Sequence, residues 1–354
     1  MSSVVAFAPM LDHAPEAVLM VTPRARSRGF LVWLALITLV PLIGFPLALK
    51  MAQWQGTGFL PGSLVLLAIT GPMHVATTGF FYLDPAFRPV IGESRLSCLW
   101  SLGWLPLLLL TLGLAGVVAI GTWAYLLIFA FHNIWLFYHY QRQNFGLASF
   151  VSTHVGGGRL PGRVNTAFNV AALGAIVSLL GTPSFLMPTQ GLVPGLADTM
   201  PAAAFVVLRP LGTAIYAASV LLMLGVFRSE PRLRENAWLT GALLLGIAFF
   251  LPTIVFESVA MGFLPVAMAH GAQYILMMSV VSGRSARGVL GFVLMCAVGV
   301  VAGLGLDAMK GWPLILVATA LTQVHFLVDA KVWRLREKRQ RAIMNDRFDF
   351  LLAA

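Results

Sequence analysis

Cysteine is nearly missing from this chain: Cys98 and Cys296 are the only two in 354 residues. A disulfide framework and a cysteine-rich zinc site are therefore excluded. Charge is scarce too. Asp, Glu, Lys and Arg make up 10% of the residues, against about 25% in ordinary soluble domains, so the chain cannot cover itself for water. Acidic residues are the rarer sign, 13 against 23 basic. Alternation of apolar and polar residues is missing from runs such as LPLLLLTLGLAGVVAIG, which argues against a β-barrel. No convincing internal repeat is visible, which weakens an inverted-repeat transporter reading. The longest loops, around 142–165 and 188–202, are too short for a separate soluble domain.

What the chain has is apolar length. Hydrophobic residues are 59% of it, with a mean hydropathy of +0.87. Runs near 20 residues recur from Phe30 to Val332, long enough to cross a ~30 Å hydrocarbon core. The fold class is all-α, a polytopic transmembrane helix bundle. Ten spans are expected: 30–51, 58–81, 97–117, 119–141, 166–187, 203–227, 237–256, 260–282, 288–307 and 311–333. They divide the chain into an N-terminal segment 1–29, a membrane domain 30–333 and a basic tail 334–354. The run from Phe30 to Leu49 spans rather than serving as a cleaved signal peptide. With both termini cytoplasmic, 20 of the 23 Lys and Arg residues fall on the inner side, and only Lys50 and Lys310 lie outside. Arg209 falls within a span. This bias fits the positive-inside rule and a bacterial inner membrane. The net charge of +10 thus reflects topology and lipid contact, through a juxtamembrane helix KVWRLREKRQR, and not nucleic-acid binding.

Five histidines interrupt the apolar runs: His74, His132, His139, His270 and His325. Ionisable residues are costly in hydrocarbon and usually mark function. All five sit on even-numbered spans, which run in parallel. His74 lies ten residues before Asp84, where Pro85 ends a helix, and His132 ten before Arg142, placing each roughly 15 Å deep. His325 is roughly 14 Å from Arg334 and His270 about 20 Å from Arg284 on the same ruler. Imidazoles of His74, His132, His270 and His325 are expected around one point, as metal sites in bundles use inward side chains of facing helices. His139 lies near the interface and about 10 Å along the helix from His132. One of that pair is a ligand, and the other is a partner, a second-centre ligand or interfacial.

Residues four apart share a helix face. Thr78 follows His74 at that spacing, Tyr274 follows His270 and Asp329 follows His325, while Leu136 follows His132. Such neighbours can fix a ligating ring's tautomer. Asp329 and Tyr274 are the candidate catalytic groups, although Asp329 can equally pair with Lys331 or Arg334. In FHNIWLFYHYQRQNFG, His132, His139 and Gln143 form one stripe, with Asn133, Tyr140 and Asn144 beside it. Arg209 is expected to cap a helix break or pair with Glu257 or Asp198, and Glu257 to sit in a solvated turn. His13 and His154 fall in polar loops.

A histidine centre with few carboxylates suits iron, copper or zinc. In apolar surroundings it points to oxygen chemistry on an apolar, lipid-soluble small molecule, hence an oxidoreductase with membrane lipid around it. The stretches GPMH, FHNIWLFYH and VHFLVDAKVWRLR resemble the bacterial membrane β-carotene dioxygenases of the Brp/Blh type. That resemblance implies non-haem iron held by histidines of several helices, here His74, His132, His325 and also His270, and oxidative cleavage of a carotenoid. It departs at Thr78, where the family has an Asp, and lacks a close His-xxx-His pair. Three alternatives stay open. One is a b-type haem protein with axial pairs His74/His270 and His132/His325. The others are a proton-coupled transporter and a non-catalytic scaffold.

Overall fold

In the computed structural model, residues 23–54, 71–91, 105–182, 202–308 and 312–352 are described. Among them every regular element is helical. The second and third expected spans are described only in part. Arg95, Cys98, Asp198, Lys310, His13 and most of the 188–202 loop lie outside the described residues.

α1 (Pro23–Leu39) passes through a π-turn at Val40–Gly44 into α2 (Phe45–Trp54). Pro41 sits in that turn; its ring removes an N–H and forces the local widening. Helix α3 covers 71–77, followed by α4 (Phe80–Leu83) and α5 (Arg88–Ile91). Then come α6 (Leu105–Ile120), α7 (Thr122–His154), α8 (Gly162–Leu180) and α9 (Ala202–Ser229). A 3₁₀ turn at Pro231–Arg234 leads to α10 (Ala237–Ala248), α11 (Leu251–Val255), α12 (Val259–Gly262) and α13 (Leu264–Ser282). The chain ends with α14 (Ala286–Ala308), α15 (Trp312–Val332), α16 (Lys338–Arg347) and α17 (Asp349–Leu352).

Six helical stretches among the described residues are long and apolar enough to cross a membrane: Ala25–Ala52, Gly162–Leu180, Ala204–Ser229, Ala237–Val255, Val259–Ser282 and Ala286–Gly305. Their outer faces show bare Trp33, Val206, Leu221, Leu290 and Val301, a surface no water-soluble monomer sustains. The stretch Val259–Ser282 buries 67% of its apolar window and Ala286–Gly305 only 11%. α13 is therefore a central post and α14 a peripheral one.

Small residues bring α8 and α9 into backbone contact. A methyl on Gly174 would overlap the backbone of Tyr216, one on Gly181 that of Arg209, and one on Gly212 that of Ser178. Lipid tails are as apolar as leucine, so close packing of this kind supplies the attraction. Arg209 closes one end of the pair. It donates to Thr182 Oγ1 at 2.9 Å and to the Ile254 carbonyl at 3.1 Å, capping the end of α11, and pairs with exposed Glu257 at 3.6 Å.

At the opposite end the basic C-terminal segment folds back against the bundle. Met344, Phe348 and Leu351 are buried, and Phe348 packs against Phe30, Phe150 and Trp333. Arg347 pairs with Asp84 at 3.0 Å, both largely buried. Asp349 binds Arg284 at 2.9 Å and Arg26 at 3.7 Å, and Arg284 also donates to the Asp346 carbonyl. The ends of α1, α4, α7, α13 and α15 thus meet on one side. The Arg284 hydrogen bond, with its charge behind it, holds the Asp349 carboxyl below the ordinary carboxylate value. A depressed folded-state value adds stability above the unfolded value, near pH 4, that is lost as pH falls through the folded one. Both charges are solvent-exposed, so the contribution is below about 1 kcal/mol. The melting-temperature difference between wild type and Asp349→Asn should therefore be small at pH 6 and shrink further as pH falls below about 4.

Candidate metal centre

Four helices each bring one imidazole to a common point: His74 from α3, His139 from α7, His270 from α13 and His325 from α15. The ring centroids form a closed circuit. His74 to His270 is 5.0 Å, His270 to His139 5.0 Å, His139 to His325 5.1 Å, and His325 to His74 4.9 Å. Neighbouring rings stand edge to face, at 70–90°. His74, His270 and His325 are buried. Their ligand atoms lie within 4.8 Å of one another, as do those of His139, His325 and Asp329. Opposite donors around an ion at 2.0–2.1 Å stand about 4 Å apart. Within each of these two triads, which share His325, the donors therefore need only a slight contraction to hold one ion.

His132 is not part of the circuit. It stacks on Phe326 at 6.4 Å, and Phe326 in turn lies 4.3 Å from His139. The depth ruler that favoured His132 took Arg142 as the membrane surface. α7 runs unbroken for 33 residues to His154, about 50 Å, and the His139 side chain within it is only 11% exposed. Arg142 is exposed along its side, donating to Asn165 Oδ1 at 2.7 Å. His154 belongs to this helix and not to a polar loop.

The residues one turn after the four ligand candidates are Thr78, Gln143, Tyr274 and Asp329. Three of them bond to one another across helices instead of each supporting its own histidine. Tyr274 donates to Asp329 Oδ1 at 2.6 Å. Its single proton is then committed, so Thr78 Oγ1, 3.1 Å away, must donate to the phenol oxygen. Thr78 Oγ1 consequently accepts from His325 Nδ1–H at 2.6 Å. That direction leaves His325 Nε2 as a bare lone pair turned to the centre, 3.8 Å from Asp329 Oδ2. His139 Nε2 is also 3.8 Å from this oxygen. The Trp333 indole lies within hydrogen-bonding reach of Asp329 and Tyr274, between the centre and the C-terminal segment.

Nε2 of His139, Nε2 of His325 and both ring nitrogens of His270 are buried without a hydrogen-bond partner. Orphaned polar atoms of this kind cost about 1–3 kcal/mol each. An ion is the group that would satisfy several of them together.

No family model, curated protein or solved structure matches this chain.

A second polar network flanks the other side of the centre, and the sequence reading had reached only its α7 members. Gln143 Nε2 donates to the His270 carbonyl at 3.2 Å and to Gln273 Oε1 at 2.9 Å. Gln273 donates to Thr38 Oγ1 at 2.9 Å, and Gln141 to the Gly246 carbonyl at 3.2 Å. These bonds join α1, α7, α10 and α13. Spacing had placed Gln143 on the stripe of His139, one turn after it; the partners Gln273 and Thr38 carry no such mark. Outer partners of metal-bound histidine typically carry 10–100-fold in affinity. Thr78→Val should weaken metal binding by about that factor in chelator competition, without unfolding the protein.

Proposed function

We propose that this protein is a multi-pass bacterial inner-membrane oxidoreductase of oxygenase type, holding non-haem iron at His74, His139, His270 and His325. Its substrate is an apolar, lipid-soluble molecule. The observation that carries this reading is the closed circuit of four imidazoles, drawn from four helices, in which His139, His270 and His325 hold buried nitrogens without a hydrogen-bond partner. Ten crossings with cytoplasmic termini accompany it, supported by the placement of 20 basic residues on one side and by the gathering of helix ends around Asp84, Arg284 and Asp349. The resemblance around His74 and His325 favours iron over zinc or copper, and a carotenoid is one substrate of the required kind.

Iron, when bound, supplies one-electron and dioxygen chemistry that side chains lack. The chain itself holds the rings and keeps out water. Thr78 fixes the His325 tautomer, and Tyr274 anchors Asp329 Oδ1. Asp329 Oδ2, 3.8 Å from Nε2 of both His139 and His325, would hold or pass a proton there. Edge-to-face contact between His74 and His270 favours an ion over a haem, because a macrocycle needs a slab of space between its axial rings.

The test is elemental analysis with optical and electron paramagnetic resonance spectra of detergent-purified protein. About one iron per chain and no Soret band is the expected result. A Soret band would establish the haem alternative, and activity that survives complete metal removal, with no stoichiometric metal, would overturn the metal-centre reading in favour of the transporter.

A further inference from the structure

The seam between α7 and α15 continues past the centre, and two buried polar groups there have no part in holding an ion. His132 Nδ1 and Gln323 Nε2 are both buried without a hydrogen-bond partner. Leaving such atoms unsatisfied costs about 1–3 kcal/mol apiece, which a bound polar group would recover. Phe326 relates them to the site. Its ring lies against His139 and is stacked by His132 at an interplanar angle of 20°. Gln323 precedes Phe326 by three residues, on the same face of α15. His132 precedes His139 by seven residues of unbroken helix, about 10 Å. On the lipid side of His132 stand the exposed, mutually stacked rings of Phe131 and Trp135.

We propose that His132 and Gln323 form a recognition site for an oxygen atom on the substrate. The substrate class is then an elongated apolar molecule bearing a hydroxyl or carbonyl about 10 Å from the carbon that reacts. A glutamine Nε2 donates to such an oxygen, and an imidazole nitrogen donates or accepts according to tautomer. Phe326, between His132 and the four-histidine circuit, is the apolar wall along which the chain of the molecule lies. This rests on the reading of the centre as one acting on lipid-soluble molecules, yet it can be tested separately from metal chemistry.

The experiment measures equilibrium binding of phytol and of phytane, a branched alcohol and its matching hydrocarbon, to the detergent-purified full chain. Wild type should bind phytol at least about tenfold more tightly, the worth of one good hydrogen bond. His132→Phe and Gln323→Leu should each reduce that preference toward unity while leaving phytane affinity unchanged. Having two variants keeps the test decisive if one fails to fold. His270→Ala should keep the preference even without metal, which separates this site from the metal reading. Equal binding of both probes by wild type, no binding of either, or a preference that survives both substitutions overturns the proposal.

Discussion

On the proposed four-histidine centre, His270→Ala is expected to abolish metal binding, whereas His132→Ala leaves it unchanged. His270 is fully buried on the most enclosed helix, and both of its ring nitrogens lack partners. Its ring touches His74 and His139 and is backed by Tyr140 at 4.1 Å. Gln143 pins its backbone carbonyl. Removing the ring breaks no protein hydrogen bond, so the fold should survive while the donor set falls from four nitrogens to three. The loss of affinity should exceed the ~10–100-fold that an outer partner such as Thr78 carries. Metal analysis and chelator competition on the two variants measure it. Retention of a full equivalent of metal by His270→Ala would remove the four-histidine centre from consideration.

Gly212→Leu should be the most destabilising single change on the α8–α9 pair. The position faces the Ser178 backbone so closely that even a methyl overlaps main-chain atoms. Backbone cannot rotate away as a side chain can, so the helices must separate and forfeit their packing. A cost of about 4 kcal/mol or more is expected, in the range reserved for severe overpacking. Gly225 is the matched control: nothing lies within 4 Å of a methyl added there, and Gly225→Ala should be neutral or slightly stabilising. Thermal unfolding in detergent, followed by tryptophan fluorescence, compares the two.

The histidines were legible as a group because polar residues are rare in hydrocarbon. Choosing among them was harder. The choice between His132 and His139 turned on where α7 meets the membrane surface, and Arg142 looked like that point. A helix that extends twelve residues beyond it, with the arginine satisfied sideways by Asn165, moves the whole ruler. The one-turn spacing contained a better clue, since His139 is followed by Gln143 and His132 only by Leu136. The cross-helix chain from His325 through Thr78 and Tyr274 to Asp329 left no trace in spacing. Each of those residues seemed to belong to its own helix. The C-terminal segment was equally opaque: Phe348 and Asp349 sit in a strongly basic stretch, and what fixes them is aromatic and ionic contact with α1, α7 and the α13–α14 turn.

Composition and the length of the apolar runs were enough, without any coordinates, to point to a helical membrane bundle and to single out five imidazoles within it. Those properties are sums over the chain, and solvent reads them segment by segment. Which rings face one another depends on how each helix is rotated and where it ends. Only packing decides that, so the tertiary structure alone put His139 in the place expected for His132 beside His74, His270 and His325, and left His132 on the far side of Phe326.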